Sequence, residues 1–160
     1  KTAEAANARM GAYLCISGDI DMWKNENYFE FVMVDTDSNK CVGTVMLLRI
    51  EADNGKKYLW FGPNPFESFL DSVSSKRCYE YMYRTVCGFA SENGFDGVVV
   101  PSKDDQILGQ CTNRGGDFPG LIKESRIRDG KGNLKIVNFG KKHMLGGGYG
   151  YEDGALIWEK

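Results

Sequence analysis

The chain has 160 residues, of which 42% are hydrophobic and 26% charged, and its formal net charge is -2. Such a composition is typical of one water-soluble domain of ordinary size. The slight acidic excess argues against a broad basic face, so we expect no nucleic-acid partner. No apolar run reaches the roughly 18–20 residues that a membrane span needs, so we expect no membrane partner either.

The five cysteines do not predict a metal site or a disulfide framework. Their number is odd, no two of them form a C-x-x-C pair, and most lie among apolar residues. We therefore expect buried free thiols, no bound metal and a reducing, cytoplasmic location. The sequence starts at Lys1 without an initiator methionine, and we interpret it as a processed product or as part of a larger protein.

The first half of the chain predicts strands joined by tight turns. Residues 1–11 are alanine-rich and are interpreted as a helix or a frayed leader of a single domain that spans residues 1–160. "AYLCISG" (Ala12–Gly18) predicts a buried strand. Three strands are predicted over 28–61, because alternating or apolar runs are separated by the turn-rich segments "DTDSNK" and "EADNGKK". Such strands form an antiparallel meander.

The pattern then changes to that of a helix over "SSKRCYEYMYRTVCGFASENG", where apolar residues recur at three- and four-residue steps. Ser74 or Ser75 is expected to cap its start, and Asn93-Gly94 suits a left-handed end. "FDGVVVP" predicts a buried strand that Pro101 ends and that the preceding helix places parallel to a neighbour. The remaining chain predicts a helix at "FPGLIKES", a turn at "RDGKGN" and strands at "LKIVNFG" and "GALIWEK".

This order of elements predicts an α/β (α+β) single domain with a mixed, mostly antiparallel sheet and flanking helices. From about Tyr28 to Pro101 the chain resembles the GNAT family of N-acetyltransferases. The resemblance rests on element order and on the stretches "KCVGTVMLL", "KKYLWFGPN" and "YEYMYRTVCGFASENGFDGVVVP". It implies transfer of an acyl group from acetyl-CoA or another acyl-CoA to an amine. By the same resemblance Glu67, near the end of the central strand, is a candidate base.

The segment after the central strand departs from the family pattern. Acyl-CoA users of the family hold the pyrophosphate with a basic, glycine-rich turn before the helix. This chain has "GPNPFESFLDSVSSKR" instead. Pro63 and Pro65 lack amide donors, and the carboxylates of Glu67 and Asp71 repel phosphate. The phosphate motif is therefore absent, and we expect weak coenzyme A binding or none.

Ligand contacts are predicted in three stretches: beside the "YLWFGPN" strand, in "NRGGDFPG" and in the glycine-rich "LGGGYGYEDG". The candidate residues are Trp60, Phe61, Asn113, Arg114, Gly115, Gly116 and Tyr149. The paired glycines of the second stretch permit a tight turn that presents Arg114 to a carboxylate or phosphate. The third stretch predicts a mobile hairpin or a lid. A small-molecule or peptide ligand suits such a cleft.

A thiol hydrolase or transamidase is the alternative class. Cys111 precedes His143, the only histidine, and Asp153 follows, an order that resembles transglutaminase-like and papain-like enzymes. We expect instead that Cys111 is not a nucleophile, because the paired glycines after it oppose a helix start there. We also expect His143 to face solvent beside Lys141 and Lys142. A non-catalytic ligand-binding or interaction domain of a larger protein is the third hypothesis.

Overall fold

The structure, a computed structural model, describes residues 25–65, 67–71, 73–111, 117–144 and 150–160. The described strands are β1 (Tyr28–Asp35), β2 (Lys40–Glu51), β3 (Lys57–Pro65), β4 (Gly97–Val100), β5 (Ile136–Met144) and β6 (Gly150–Glu159). The described helices are α1 (Glu67–Leu70), α2 (Ser75–Glu92), α3 (Asp104–Cys111) and α4 (Phe118–Ser125). The segments predicted at residues 1–11 and 12–18 lie outside the described residues.

The six strands form one mixed sheet in the order β1-β2-β3-β4-β6-β5. All neighbouring pairs are antiparallel except β3 and β4, which run parallel and are joined through α2. The α+β class, the meander over 28–61 and the parallel strand are thus confirmed. The arrangement is consistent with a GNAT-like fold.

The two turns of the meander are held by side chains of the turn residues. The Asp35 carboxylate accepts hydrogen bonds from the N–H groups of Asp37 and Ser38, both at 3.3 Å. In the second turn the Asn54 side chain accepts from the Lys56 N–H at 3.0 Å. These local bonds fix the strand register, because the turn decides which residues face each other.

Helix α2 begins and ends as its sequence predicts. The Ser74 hydroxyl accepts the Arg77 N–H at 3.2 Å, and Gly94 adopts the left-handed conformation with φ of 73°. Its buried stripe consists of Cys78, Tyr79, Met82, Val86, Cys87 and Ala90. Burial raises the pKa of the two buried thiols to about 11, so both cysteines act as small apolar residues, as predicted.

The sheet separates two hydrophobic cores. The helix-side core packs Met82 of α2, Ile107 of α3 and Phe118 of α4 against one face of the strands. The second core lies on the opposite face and contains Trp60 together with residues of β5 and β6. Because side chains alternate along a strand, consecutive residues of β3 enter different cores.

The last third of the chain differs from its sequence interpretation. Helix α3 occupies Asp104–Cys111, where the sequence patterns predicted no element. Strands β5 and β6 are longer than predicted. The stretch 145–154 was interpreted as a mobile hairpin or a lid. Its described residues, 150–154, belong to β6, which pairs antiparallel with β5 and places Tyr151 opposite His143. Among the described residues, no helix combines the length and apolarity needed to cross a bilayer.

Candidate functional site

The backbone pairing between β3 and β4 ends before β3 does, and we call the unpaired stretch the opening. The parallel pairs run from Tyr58 with Gly97 to Trp60 with Val99. Strand β3 then continues to Pro65, whereas β4 ends at Val100. The next bond of a parallel ladder would need an N–H from residue 101 for the Phe61 carbonyl, and proline has none. Pro101 therefore stops the ladder.

The direction of the β3 backbone groups follows from its first residue. The Lys57 N–H donates to the Asp96 carboxylate at 2.8 Å, and the Lys57 carbonyl accepts the Asp96 N–H at 2.7 Å. Lys57 therefore faces the β4 side. The β2–β3 register runs without a shift as far as Pro65. By the two-residue period of a strand, Phe61, Pro63 and Pro65 direct their backbone groups to the same side.

Beyond the last β3–β4 pair, this side of β3 offers hydrogen-bond acceptors alone. In a parallel ladder the Phe61 N–H is the group that donates to the Val99 carbonyl. The next two residues on this side are prolines, which have no N–H. We call the carbonyls of Phe61, Pro63 and Pro65 the carbonyl edge. Within the part of the chain that the structure describes, no backbone N–H from a turn or loop bonds to them.

Aromatic side chains border the opening on both faces of the sheet. On the second-core face the Trp60 ring lies 4.4 Å from the Tyr151 ring and 6.3 Å from the Phe139 ring. Trp60 lies opposite Val99 of β4, and its ring reaches that of Tyr151 although β4 separates their strands. On the helix side the Phe61 ring lies 5.9 Å from that of Tyr79. The predicted ligand residues Trp60 and Phe61 are both buried and lie in different cores.

The chain that leaves β4 is fixed by polar contacts with Asp153 of β6 and with Arg126. The Ser102 hydroxyl donates to the Asp153 carboxylate of β6. The Arg126 guanidinium, which is 6% exposed, donates to the Ser102 carbonyl at 2.7 Å and to Asp104 at 2.9 Å. Hydrogen bonds from Lys123 and Arg126 hold the pKa of Asp104 below its ordinary value. These contacts fix the backbone directly after Pro101, where the β3–β4 ladder has ended.

His143 belongs to the aromatic cluster of the second core. Its ring lies 5.7 Å from that of Phe139, and its Nε2 atom is buried with no hydrogen-bond partner among the described residues. The expectation of a solvent-facing histidine is wrong, because the side chain is half-buried. Burial, followed by the positive charge of Lys141, lowers the pKa of His143. A neutral imidazole is therefore the ordinary state at neutral pH.

The stability of the protein is expected to fall as the pH is lowered from 7.5 to 5. The folded-state pKa of His143 is lower than the ordinary value of 6.5, so the unfolded chain binds the proton more readily. The contribution of the neutral His143 side chain to the free energy of unfolding is fully present above the unfolded-state pKa. It is lost as the pH falls through the folded-state pKa. Urea unfolding of the protein and of His143→Gln at each pH measures the difference. A folded-state pKa above 6.5, from NMR titration of this single histidine, would contradict the prediction.

The other candidate residues are distributed over several elements. Glu67 is the first residue of α1, shortly after β3, and Cys111 is the last residue of α3. The candidates outside the described residues are Asn113, Arg114, Gly115, Gly116 and Tyr149. Asp153, the acid of the alternative thiol-enzyme hypothesis, accepts a hydrogen bond from the Ser102 hydroxyl. The roles proposed for these residues stay predictions.

A separate cavity of about 870 Å³ lies between β1, β2 and α2. Its apolar lining includes Phe31, Met33, Val45, Phe69, Val73 and Met82. None of its described lining residues belongs to β3 or β4, so it is distinct from the opening. Within the described residues, no three His, Cys, Asp or Glu side chains lie close enough together to hold a metal ion.

Comparison with known proteins yields one structural similarity. No protein-family model matches the sequence, and no curated protein does so. The crystal structure of an acetyltransferase from Trypanosoma brucei aligns with a TM-score of 0.39 and 13% sequence identity. The alignment covers 60% of this chain and 67% of that chain. The description of the fold therefore rests on the strand order and on the parallel β3–β4 pair.

Proposed function

We propose that the chain, taken as one domain over residues 1–160, is a GNAT-like domain that transfers an acyl group from a thioester to an amine. The observation that carries the proposal is the early end of the β3–β4 ladder beside the carbonyl edge. An extended arm that contains amide groups can enter such an opening. Its N–H groups then donate to the carbonyls of Phe61 and Pro63, as a further strand would.

The reaction needs a neutral amine and a polarised thioester. A base removes one proton from the ammonium, and the amine nitrogen then attacks the thioester carbonyl carbon. The C–S bond breaks as the C–N bond forms, and the leaving thiolate takes the second nitrogen-bound proton. Glu67, at the start of α1, is the candidate base on the strength of the family resemblance. The two buried aromatic faces exclude water, which limits hydrolysis of the thioester.

Substitution of Pro101 tests whether the opening is needed for acyl transfer. Pro101→Ala supplies the missing N–H, which can bond the Phe61 carbonyl and extend the β3–β4 ladder. We expect amine-dependent release of thiol from acetyl-pantetheine to fall at least tenfold, about 1.4 kcal/mol in transition-state stabilisation. The measurement uses a pool of primary amines and a lysine-containing peptide as acceptors, with the acetylated product detected by mass spectrometry.

Pro119→Ala is the matched control, because Pro119 lies in the first turn of α4, where a proline N–H is not required. It should retain activity near that of the unmodified chain. Equal activity of the Pro101→Ala protein and the unmodified chain would contradict the proposed site. The absence of amine acetylation by the unmodified chain with every acceptor, from acetyl-pantetheine and from acetyl-CoA alike, would contradict the proposed function.

A further inference from the structure

The segment between β3 and α2 determines which part of an acyl donor the opening can hold. The chain passes from β3 almost directly into the one-turn helix α1. Two of the last three residues of β3 are prolines, and the exposed acid Asp71 follows α1. A pyrophosphate needs several converging N–H groups and positive charge. The described part of this segment has no cationic residue, and its N–H groups are limited to those of the four-residue α1 and of the described residues between it and α2.

At the start of α2, groups of the protein itself already accept hydrogen bonds from backbone N–H groups. The Ser74 hydroxyl accepts the Arg77 N–H at 3.2 Å, and the Ser74 carbonyl accepts the Cys78 N–H at 3.0 Å. A free N-terminal turn would direct such groups at an anion. Here the serine side chain takes one of the few N–H groups available. The helix start is therefore a weak anion site, although Lys76 and Arg77 are nearby.

The carbonyl edge favours the opposite kind of ligand group. It accepts hydrogen bonds at Phe61, Pro63 and Pro65, and its own N–H groups are paired or missing. Amide N–H donors match such an edge, whereas phosphate oxygens, which are acceptors, do not. In coenzyme A the amide donors lie in the pantetheine arm, and the acceptor oxygens lie in the adenosine diphosphate part. The pantetheine arm can therefore donate hydrogen bonds to the β3 carbonyls, whereas the phosphate oxygens of the adenosine diphosphate part cannot.

We propose, building on the acyl-transfer function above, that the acyl donor is recognised by its pantetheine arm alone. The donor class is a pantetheine thioester, either free or attached to a carrier protein. The adenosine diphosphate part of coenzyme A contributes no binding energy at this site. This assignment explains how a thioester-dependent site can exist in a chain without a pyrophosphate turn.

The experiment compares three acetyl donors with the full chain: acetyl-pantetheine, acetyl-CoA and an acetylated carrier protein. We expect kcat/KM for acetyl-CoA to lie within threefold of that for acetyl-pantetheine. Adenosine 3′,5′-bisphosphate should not inhibit. A kcat/KM that is higher for the acetylated carrier protein than for acetyl-pantetheine identifies the carrier-attached arm as the acyl donor. Equal values for these two donors identify the free thioester. Both results support the proposal.

Two results would overturn different statements. A kcat/KM at least 100-fold higher for acetyl-CoA, about 2.7 kcal/mol, overturns recognition by the arm alone and leaves acyl transfer intact. No transfer from any donor overturns the proposed function itself.

A charge variant gives an independent check. Asp71→Lys places a cation before α2, and we expect it to raise kcat/KM for acetyl-CoA three- to tenfold without changing that for acetyl-pantetheine. Asp37→Lys, in the β1–β2 turn, is the control for net charge and should change neither value. An equal gain with both donors at Asp71→Lys would contradict the proposal, because pantetheine carries no charge.

Discussion

Replacing Trp60 by alanine is expected to lower the free energy of unfolding by about 4 kcal/mol, within the range for large aromatic residues removed from a core. Trp60 is 1% exposed, its ring lies tilted against the Tyr151 ring at 4.4 Å, and it meets Phe139 edge-on at 6.3 Å. Its loss leaves a cavity at the point where β3 and β4 separate. Chemical denaturation followed by circular dichroism measures the change.

Two further variants serve as controls for burial of the ring and for the Nε1 group of Trp60. Tyr81→Ala removes an aromatic ring that is 65% exposed on α2, and it should change stability by less than about 0.5 kcal/mol. Trp60→Phe keeps a ring but removes Nε1, which is buried without a hydrogen-bond partner in the described structure. We expect it to cost much less than alanine, because an unpaired buried N–H is itself unfavourable. Equal losses for Trp60→Phe and Trp60→Ala would show that Nε1 has a partner.

Gly97→Ala is expected to destabilise the protein by about 2–3 kcal/mol, although it adds only one methyl group. A Cβ atom at Gly97 would lie 2.7 Å from Leu156 Cδ2 and 2.8 Å from the Trp158 carbonyl oxygen. The side chain can rotate, but the carbonyl belongs to the β4–β6 ladder and cannot move without breaking it. Thermal or urea unfolding measures the loss.

Gly88→Ala is the control for this substitution. Gly88 lies on the exposed face of α2, and a Cβ atom there meets nothing within 4 Å. It should stabilise the protein by up to about 1 kcal/mol, because alanine favours the helix more than glycine does. A Gly97→Ala protein as stable as the unmodified chain would show that β4 and β6 are less closely packed than their register indicates.

Local sequence patterns were sufficient for the first half of the fold. The strands of the meander alternate in polarity, and their turns carry residues that bond their own backbone, such as Asp35 and Asn54. Helix α2 has a serine cap and a continuous apolar stripe. Each of these signals lies within a few residues of the structure that it forms, which is why sequence analysis found them.

Long-range contacts defined the parts that sequence analysis missed. Helix α3 joins the helix-side core through Ile107, and the acids in its first turn, Asp104 and Asp105, were the available signal. Arg126 bonds Ser102 from 24 residues away, which no local pattern indicates. Pro101 was recognised as the end of a strand. Its effect on Phe61 requires the register of the parallel pair, which only the structure provides.

The parallel pair also places the opening late in the order of folding. Lys57 and Asp96, which begin the pair, are 39 residues apart in sequence, whereas short turns join the strands of the meander. Bringing distant segments together costs loop entropy before it gains any contact. Helix α2 must form and dock before β4 can reach β3. By this argument the opening forms after the meander, and only a molecule in which β4 has joined the sheet presents it.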